Sequence, residues 1–321
     1  MTAETKEIVP VFNDNGEFDI KATYFKFLEE DPDITMPVAA IESLVALLST
    51  TETSTSSELM KVLGDATTRL KKSVQNSISL SAGCDLFTRF VLRNINEYGE
   101  WETCKKHLIQ NGRLFVQRAM ESRDKIARNG LPFIRDDDVI LVHSQSRTVT
   151  ALLLHAASQL IRFRVFVTES RTSKNGVEMA RTLRAHGIPT SLIADATVGY
   201  VMQKVDKIFV GAEGVAESGG VINESGTYQI GVLAEATNKP FYVVAESISF
   251  SHKFVRLFPL SPSDIPNEHS LDFTLEDKDD ELSTLPAVDF TPHQYITALI
   301  TDIGVLTTNS VSEELIKIWF G

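Results

Sequence analysis

Residues 138–168 read DVILVHSQSRTVTALLLHAASQLIRFRVFVT. They open on a short apolar run, Asp138-Val-Ile-Leu-Val-His143, bounded by polar residues as a buried strand requires. Thr148–Leu160 then spaces its apolar side chains as an amphipathic helix does, and Arg164-Val-Phe-Val-Thr168 is a second apolar run. Strand, helix and strand on short links form the unit of a parallel sheet covered by helices.

The alternation continues toward the C-terminus. The pattern predicts a helix ending at His186-Gly187, a strand at Thr190–Ala194, a short helix near Val198–Gln203 and a strand at Lys207–Gly211. After a Gly-rich turn come a helix, Tyr228–Thr237, and a strand, Phe241–Val244. Residues 261–289, with Pro262, Pro266 and the acidic run Glu276–Glu281, read as a long surface loop. The chain returns with Tyr295–Val305 and a last helix, Asn309–Trp319. These features predict an α/β fold in which residues 131–321 form a Rossmann-like, parallel-sheet domain.

Residues 1–130 read instead as a helical domain. Val38, Ile41, Leu44, Val45 and Leu48 follow Pro37 at three- and four-residue intervals and make one buried stripe. That helix should stop near Ser49, because residues 49–57 (STTETSTSS) are Ser and Thr except for Glu52, and hydroxyl side chains favour caps and turns. The next helix should start around Glu58. Further helices are expected over Asp85–Asn96 and Glu102–Asn129, the second closing at Asn129-Gly130 with Pro132 beyond.

The 321 residues carry 31 Lys and Arg against 43 Asp and Glu, a formal charge of −12. Such a surface repels the phosphate backbone of nucleic acid, so a protein or a small molecule is the expected partner. Two cysteines, Cys84 and Cys104, make no disulfide framework and read as reduced, buried thiols. The start has no basic segment followed by an apolar one, and no uncharged apolar run reaches the ~18 residues of a membrane span. A soluble, cytoplasmic protein is expected.

Parallel sheets bind ligands at the carboxyl ends of their strands. The first strand runs out into His143-Ser144-Gln145-Ser146-Arg147 and straight into a helix, a plausible cradle for phosphate or carboxylate. The alternative is that Ser146 only caps the helix while Arg147 lies on the surface. Glu213, after the strand ending at Gly211, aims a carboxylate at the same rim, and Asn223 falls in the same region. GAEGVAESGG holds neither GxGxxG nor GxxxxGK, and neither HExxH nor GxSxG occurs, so no metal and no cofactor is called for. The cations Arg113, Arg118, Arg123, Lys125 and Arg128 read as a solvated or salt-bridged helix face.

Several long stretches resemble the alpha-subunit family of eukaryotic translation initiation factor 2B. They are Lys204–Asn223, Ser225–Tyr228, Asn238–Glu246, Lys253–Leu260, Tyr295–Thr307 and Val311–Lys317, joined in the N-terminal half by Pro37–Ile41, Ala82–Phe87 and Arg89–Asn94. The resemblance implies a non-catalytic regulatory subunit of the guanine nucleotide exchange complex acting on initiation factor 2. It implies a homodimer formed through the α/β half, binding to the other exchange-factor subunits in a decamer, and a helical half that helps sense the phosphorylated alpha subunit of initiation factor 2. By the same resemblance Thr55, Glu58 and Phe87 are candidates for that contact; the residues by themselves read Thr55 and Glu58 as cap residues and Phe87 as core.

The fold is also similar to that of sugar-phosphate isomerases, which use a Cys after a Thr-His pair and an Asp after a Gly-Ala pair. The matching positions here hold Ser144 and Glu213. A serine is a poorer acid and nucleophile than a thiol, and Glu213 displaces its carboxylate by one methylene. The alternative activity, aldose–ketose isomerisation or sensing of a sugar phosphate, rests on this likeness, and a phosphorylated sugar or nucleotide is the implied ligand. The chain departs from the subunit pattern at Gln145, where Tyr is usual, at the interposed Ile248-Ser-Phe-Ser251, and at Thr308, where Pro is frequent.

Overall fold

The structure, a computed structural model, describes residues 10–13, 16–31, 34–74, 78–95, 101–247, 250–251 and 287–320. The chain divides into two compact units, Met1–Met120 and Glu121–Gly321.

Among the described residues of the first unit lie five helices: α1 (Ile20–Glu30), α2 (Met36–Thr50), α3 (Ser56–Ser73), α4 (Ile78–Asn94) and α5 (Trp101–Met120). Helix α2 packs against α1, α4 and α5. Its stripe of Val38, Ile41, Leu44, Val45 and Leu48 is buried, and Pro37 sits in its first turn, where a missing N–H costs nothing. Two glycines let its neighbours close in: a Cβ on Gly83 of α4 would lie 2.6 Å from Pro37 O, and one on Gly112 of α5 would lie 2.7 Å from Val45 Cγ2. The expected stop of α2 is found at Thr50, where the Ser49 and Thr50 hydroxyls donate to the Val45 and Ala46 carbonyls. Both cysteines are free and buried, as their sequence context implies.

The second unit opens with α6 (Ser122–Gly130), followed by β1 (Val139–His143), α7 (Arg147–Ser158), β2 (Arg164–Thr168), α8 (Asn175–Ala185), β3 (Thr190–Ile193), α9 (Val198–Val201) and β4 (Lys207–Val210). Next come β5 (Gly214–Ala216), β6 (Val221–Glu224), α10 (Thr227–Ala236), β7 (Phe241–Val244), β8 (Phe250–Ser251) and β9 (Val288–Thr291). A hairpin of β10 (Ala298–Thr301) and β11 (Gly304–Leu306) and the helix α11 (Val311–Phe320) complete it. The main sheet has the order β11-β10-β7-β4-β1-β2-β3 and is parallel except for β11. Its two faces are apolar, one gathering Ile140, Val142, Val165 and Val167 with Leu152 and Met179, the other Leu141, Ile208 and Val243 with Val201 and Ile230. A smaller sheet has the order β8-β5-β6-β9.

The alternating pattern therefore yields the expected α/β fold, with differences of detail; in the helical unit α4 starts at Ile78, seven residues before the expected Asp85. The helical run expected over Glu102–Asn129 is interrupted at Glu121, and α6 packs on α7 and β10 within the second unit; a Cβ on Gly130 would lie 2.7 Å from Leu152 Cδ1. The units divide at 120/121, ten residues before the boundary expected from the change of pattern at Pro132. The Gly-rich turn after Gly211 is the β5–β6 hairpin, and the end of the expected loop 261–289 is β9. Of the interposed segment, Phe250 and Ser251 form β8 beside Val215 and Ala216, while Ile248 and Ser249 lie outside the described residues, as do the acidic run Glu276–Glu281 and the Lys253–Leu260 stretch. No helix among the described residues is long and apolar enough to cross a membrane.

Candidate functional site

The strand order reverses between β1 and β4, so the carboxyl ends of these two strands bound a crevice of the kind that holds ligands in open parallel sheets. His143, the last residue of β1, is 1% exposed. Its Nε2 lies 3.0 Å from the Ser225 carbonyl and its Nδ1 2.6 Å from Thr168 Oγ1 at the end of β2. A carbonyl only accepts, so Nε2 carries the proton and Nδ1 accepts from the threonine, whose oxygen in turn receives the Ser144 N–H at 3.2 Å. Burial lowers the imidazole pKa below 6.5, against the opposing pull of Glu224 and Asp195, and keeps the ring neutral. Gly226 (φ 111°) lies against the ring, where a Cβ would come within 2.9 Å of His143 Cε1.

Ser144 follows with φ 56°, a left-handed conformation that a non-glycine residue adopts only when its surroundings impose it. It is 1% exposed, and its hydroxyl donates to Glu224 Oε2 at the end of β6. Glu224 Oε1 accepts from Ser170 and from Ser173, both in the link from β2 to α8. Ser170 is also left-handed, at φ 51°, and the Asp195 carboxylate holds this link by accepting the Ser170 N–H at 3.0 Å and the Arg171 N–H at 2.7 Å. Three hydroxyls from two strand ends thus converge on one carboxylate. A phosphoryl oxygen is the same kind of acceptor.

The other sequence-predicted residues lie nearby with different partners. Ser146 caps α7, its Oγ accepting from Val149 N–H at 3.3 Å and lying 2.9 Å from Thr148 Oγ1. Arg147 is exposed at the first position of α7. Gly211 at the end of β4 fits between Ser146 and Asn223: a Cβ there would meet Ser146 Oγ at 2.6 Å and Asn223 Oδ1 at 3.8 Å. Asn223, 8% exposed, donates from Nδ2 to Thr227 Oγ1 at 3.0 Å. Glu213 is half-buried, and its N–H donates to Ile222 O at 2.9 Å in the β5–β6 hairpin.

The carboxylate that gathers the serines is Glu224, which the sequence reading passed over together with Ser170 and Ser173. A signal was present: Ser170 follows the end of β2 as Ser144 follows β1, and Glu224 directly follows Asn223. Paired with Asn223 across β6 and β9, Asp289 accepts the N–H groups of Gly226 (2.7 Å) and Tyr228 (3.1 Å) at the start of α10. Burial raises its pKa to about 6 despite those donors. Of the helix cations, Arg123 lies 3.4 Å from the buried Glu246 and Lys125 lies 3.8 Å from Glu121.

In the helical unit, Thr55 and Glu58 are exposed and form the N-terminal cap of α3. Thr55 Oγ1 accepts the Glu58 N–H at 3.2 Å, and Glu58 Oε2 accepts the Ser54 N–H at 2.9 Å. Phe87 differs from them. It is 1% exposed, stacked on Phe90 with ring centres 5.9 Å apart, and belongs to the core of the helices. Its ring has no surface to offer a partner.

The sequence model described as the initiation factor 2 subunit family matches residues 29–308. The chain is 40% identical over 319 residues to translation initiation factor eIF2B subunit alpha of Dictyostelium discoideum, across 95% of this chain and 98% of that protein. It is 30% identical over 224 residues to ribose 1,5-bisphosphate isomerase of Methanocaldococcus jannaschii, across 68% of this chain and 69% of that one. Among solved structures, the tetrameric eIF2B-beta2-delta2 complex from C. thermophilum superimposes with a TM-score of 0.72 over 94% of this chain and 95% of that one. At 18% identity the last likeness is one of fold. The resemblance to alpha subunits read from the sequence stands.

Proposed function

The chain belongs to the initiation factor 2 subunit family, and from that premise we propose that it is a non-catalytic regulatory subunit of the guanine nucleotide exchange complex acting on initiation factor 2. In this reading two copies pair through the α/β unit and bind the other subunits of the complex. The helical unit helps sense the phosphorylated alpha subunit of initiation factor 2, with Thr55 and Glu58 as surface contacts and Phe87 supporting them from within the core. A cytoplasmic location belongs to the same reading.

The observation that carries the non-catalytic part is the state of Ser144. It is buried and turns its hydroxyl onto Glu224, which already holds two other serines, at the position where the likeness to sugar-phosphate isomerases implies a thiol. A hydroxyl so placed lacks both the acidity of a thiol and an unoccupied base. Light scattering on the purified chain is expected to give a dimer at nanomolar concentration; a monomer at micromolar concentration contradicts the scaffold role.

The second reading, a sugar-phosphate isomerase, is favoured by the 30% identity to the archaeal enzyme. Turnover of ribose 1,5-bisphosphate by the purified chain, lost in Ser144→Ala or Glu213→Gln, would establish it in place of the first. A pocket that retains a phosphorylated sugar or nucleotide without turnover fits the regulatory reading.

A further inference from the structure

The amino ends of the main sheet carry a cavity at the opposite edge from His143 and Glu224. It has a volume of roughly 450 Å³, within the ~300–1,000 Å³ range of small-molecule sites. Val139, Arg164 and Thr190, the first residues of β1, β2 and β3, line it, with Lys204 from the turn before β4. A strand of five residues spans about 13 Å, which separates this cavity from the carboxyl-end crevice.

The sheet's alternation explains what faces the cavity. Arg164 and Phe166 are two residues apart on β2, and Ser191 of β3 pairs in register with Phe166, so all three share one face. Phe166, Val139 and the exposed Pro189 make an apolar floor, and Arg164 and Lys204 stand at its rim. Three nearby carboxylates are held by other groups. Asp138 pairs with Lys207 at 2.5 Å, Asp136 with Arg162 at 3.6 Å, and Asp206 accepts the Val139 N–H at 2.9 Å. Among the described residues neither Arg164 nor Lys204 has a carboxylate partner. The Lys204 ammonium lies 5.8 Å from the ring centre of Tyr200, which is 77% exposed. Two cations without an ion-pair partner thus stand beside an apolar hollow, against the single carboxylate of Asp206, in a chain of net charge −12.

We infer that this cavity binds a small amphipathic anion, with an apolar, planar body on Phe166, Val139 and Pro189 and its carboxylate, sulfonate or phosphate between Arg164 and Lys204. The site is independent of the crevice around Glu224 and does not require the regulatory reading.

Anilinonaphthalene sulfonate, a fused apolar ring with one anionic group, is the probe. Titrated into the full chain and followed by fluorescence, it is expected to saturate at one site per chain. Ser191→Trp, a change at an exposed edge-strand position that fills the hollow, is expected to abolish that site. Arg164→Glu combined with Lys204→Glu is expected to weaken binding roughly tenfold, and added salt to weaken it in the parent alone. Circular dichroism and melting test whether each variant is folded, and the two act independently, so failure of one to fold leaves the other decisive. Absence of a saturable site, or affinity that survives both variants, overturns the inference. Loss in Ser191→Trp with no change on charge reversal overturns the anionic assignment.

Discussion

The candidate sites of the two units place their hydroxyl groups in opposite ways. In the α/β unit, Ser144, Ser170 and Thr168 are buried and turned inward, onto Glu224 or His143. In the helical unit, the hydroxyls of residues 54–57 lie on the surface at the head of α3, while Thr23, Ser43 and Thr53 are buried without gathering on one group. A buried polar network fixes a geometry, because every member left without a partner costs free energy. An exposed cap holds its helix only lightly, and a partner can compete for its groups. The first arrangement suits a scaffold with a defined crevice and the second a contact surface.

The comparison breaks first at Phe87. If it is core, as its burial requires, Phe87→Ala costs about 3–5 kcal/mol in denaturant unfolding. A loss below 1 kcal/mol with a change in partner binding would return it to the surface.

Gly211→Ala tests whether the switch point is as closely packed as its contacts imply. The new Cβ would press on Ser146 at the cap of α7, and a cost of about 1–3 kcal/mol is expected. Unchanged stability would mean that β4 and α7 stand further apart.

Asp289 sharpens the contrast through pH. Its folded pKa of about 6 lies above its ordinary 3.8, so its contribution to stability is complete below 3.8 and is lost as pH rises through 6. Asp289→Asn keeps an acceptor for the α10 amides and removes that loss. Discounted for its partial exposure, the variant should be more stable than the parent by about 1 kcal/mol near pH 8, and the two should converge near pH 4. His143 works in the other direction: its lowered pKa gives stability above 6.5 that is lost as pH falls below it. A pH-independent difference between parent and Asp289→Asn would remove the buried carboxylate from the account.

The smallest effect belongs to the exposed cap. Thr55→Ala should cost about 1 kcal/mol or less. A larger loss would place the α3 cap with the buried networks.

Much of this was legible in the sequence. The runs at β1, β2 and β4 and the stripe of α2 carry their periods plainly, because one burial pattern sets every side chain in them. The β5–β6 hairpin was not, since strands of three and four residues with glycines at their ends show too little alternation to register. Burial of Phe87 was readable: Leu80, Cys84, Phe87 and Val91 recur at four, three and four residues, the stripe of a core-facing helix. The gathering of serines on Glu224 was hidden for a different reason. It joins residues 54 and 80 positions apart, and no local period encodes a long-range hydrogen bond.

The most direct test reconstitutes the exchange complex with this chain and measures nucleotide release from initiation factor 2, with and without its phosphorylated alpha subunit. The account predicts that the chain assembles and confers inhibition by the phosphorylated factor, and that Thr55→Ala with Glu58→Lys blunts the inhibition while assembly persists. A chain that assembles but leaves exchange indifferent to phosphorylation, or whose cap variant responds as the parent does, would contradict it.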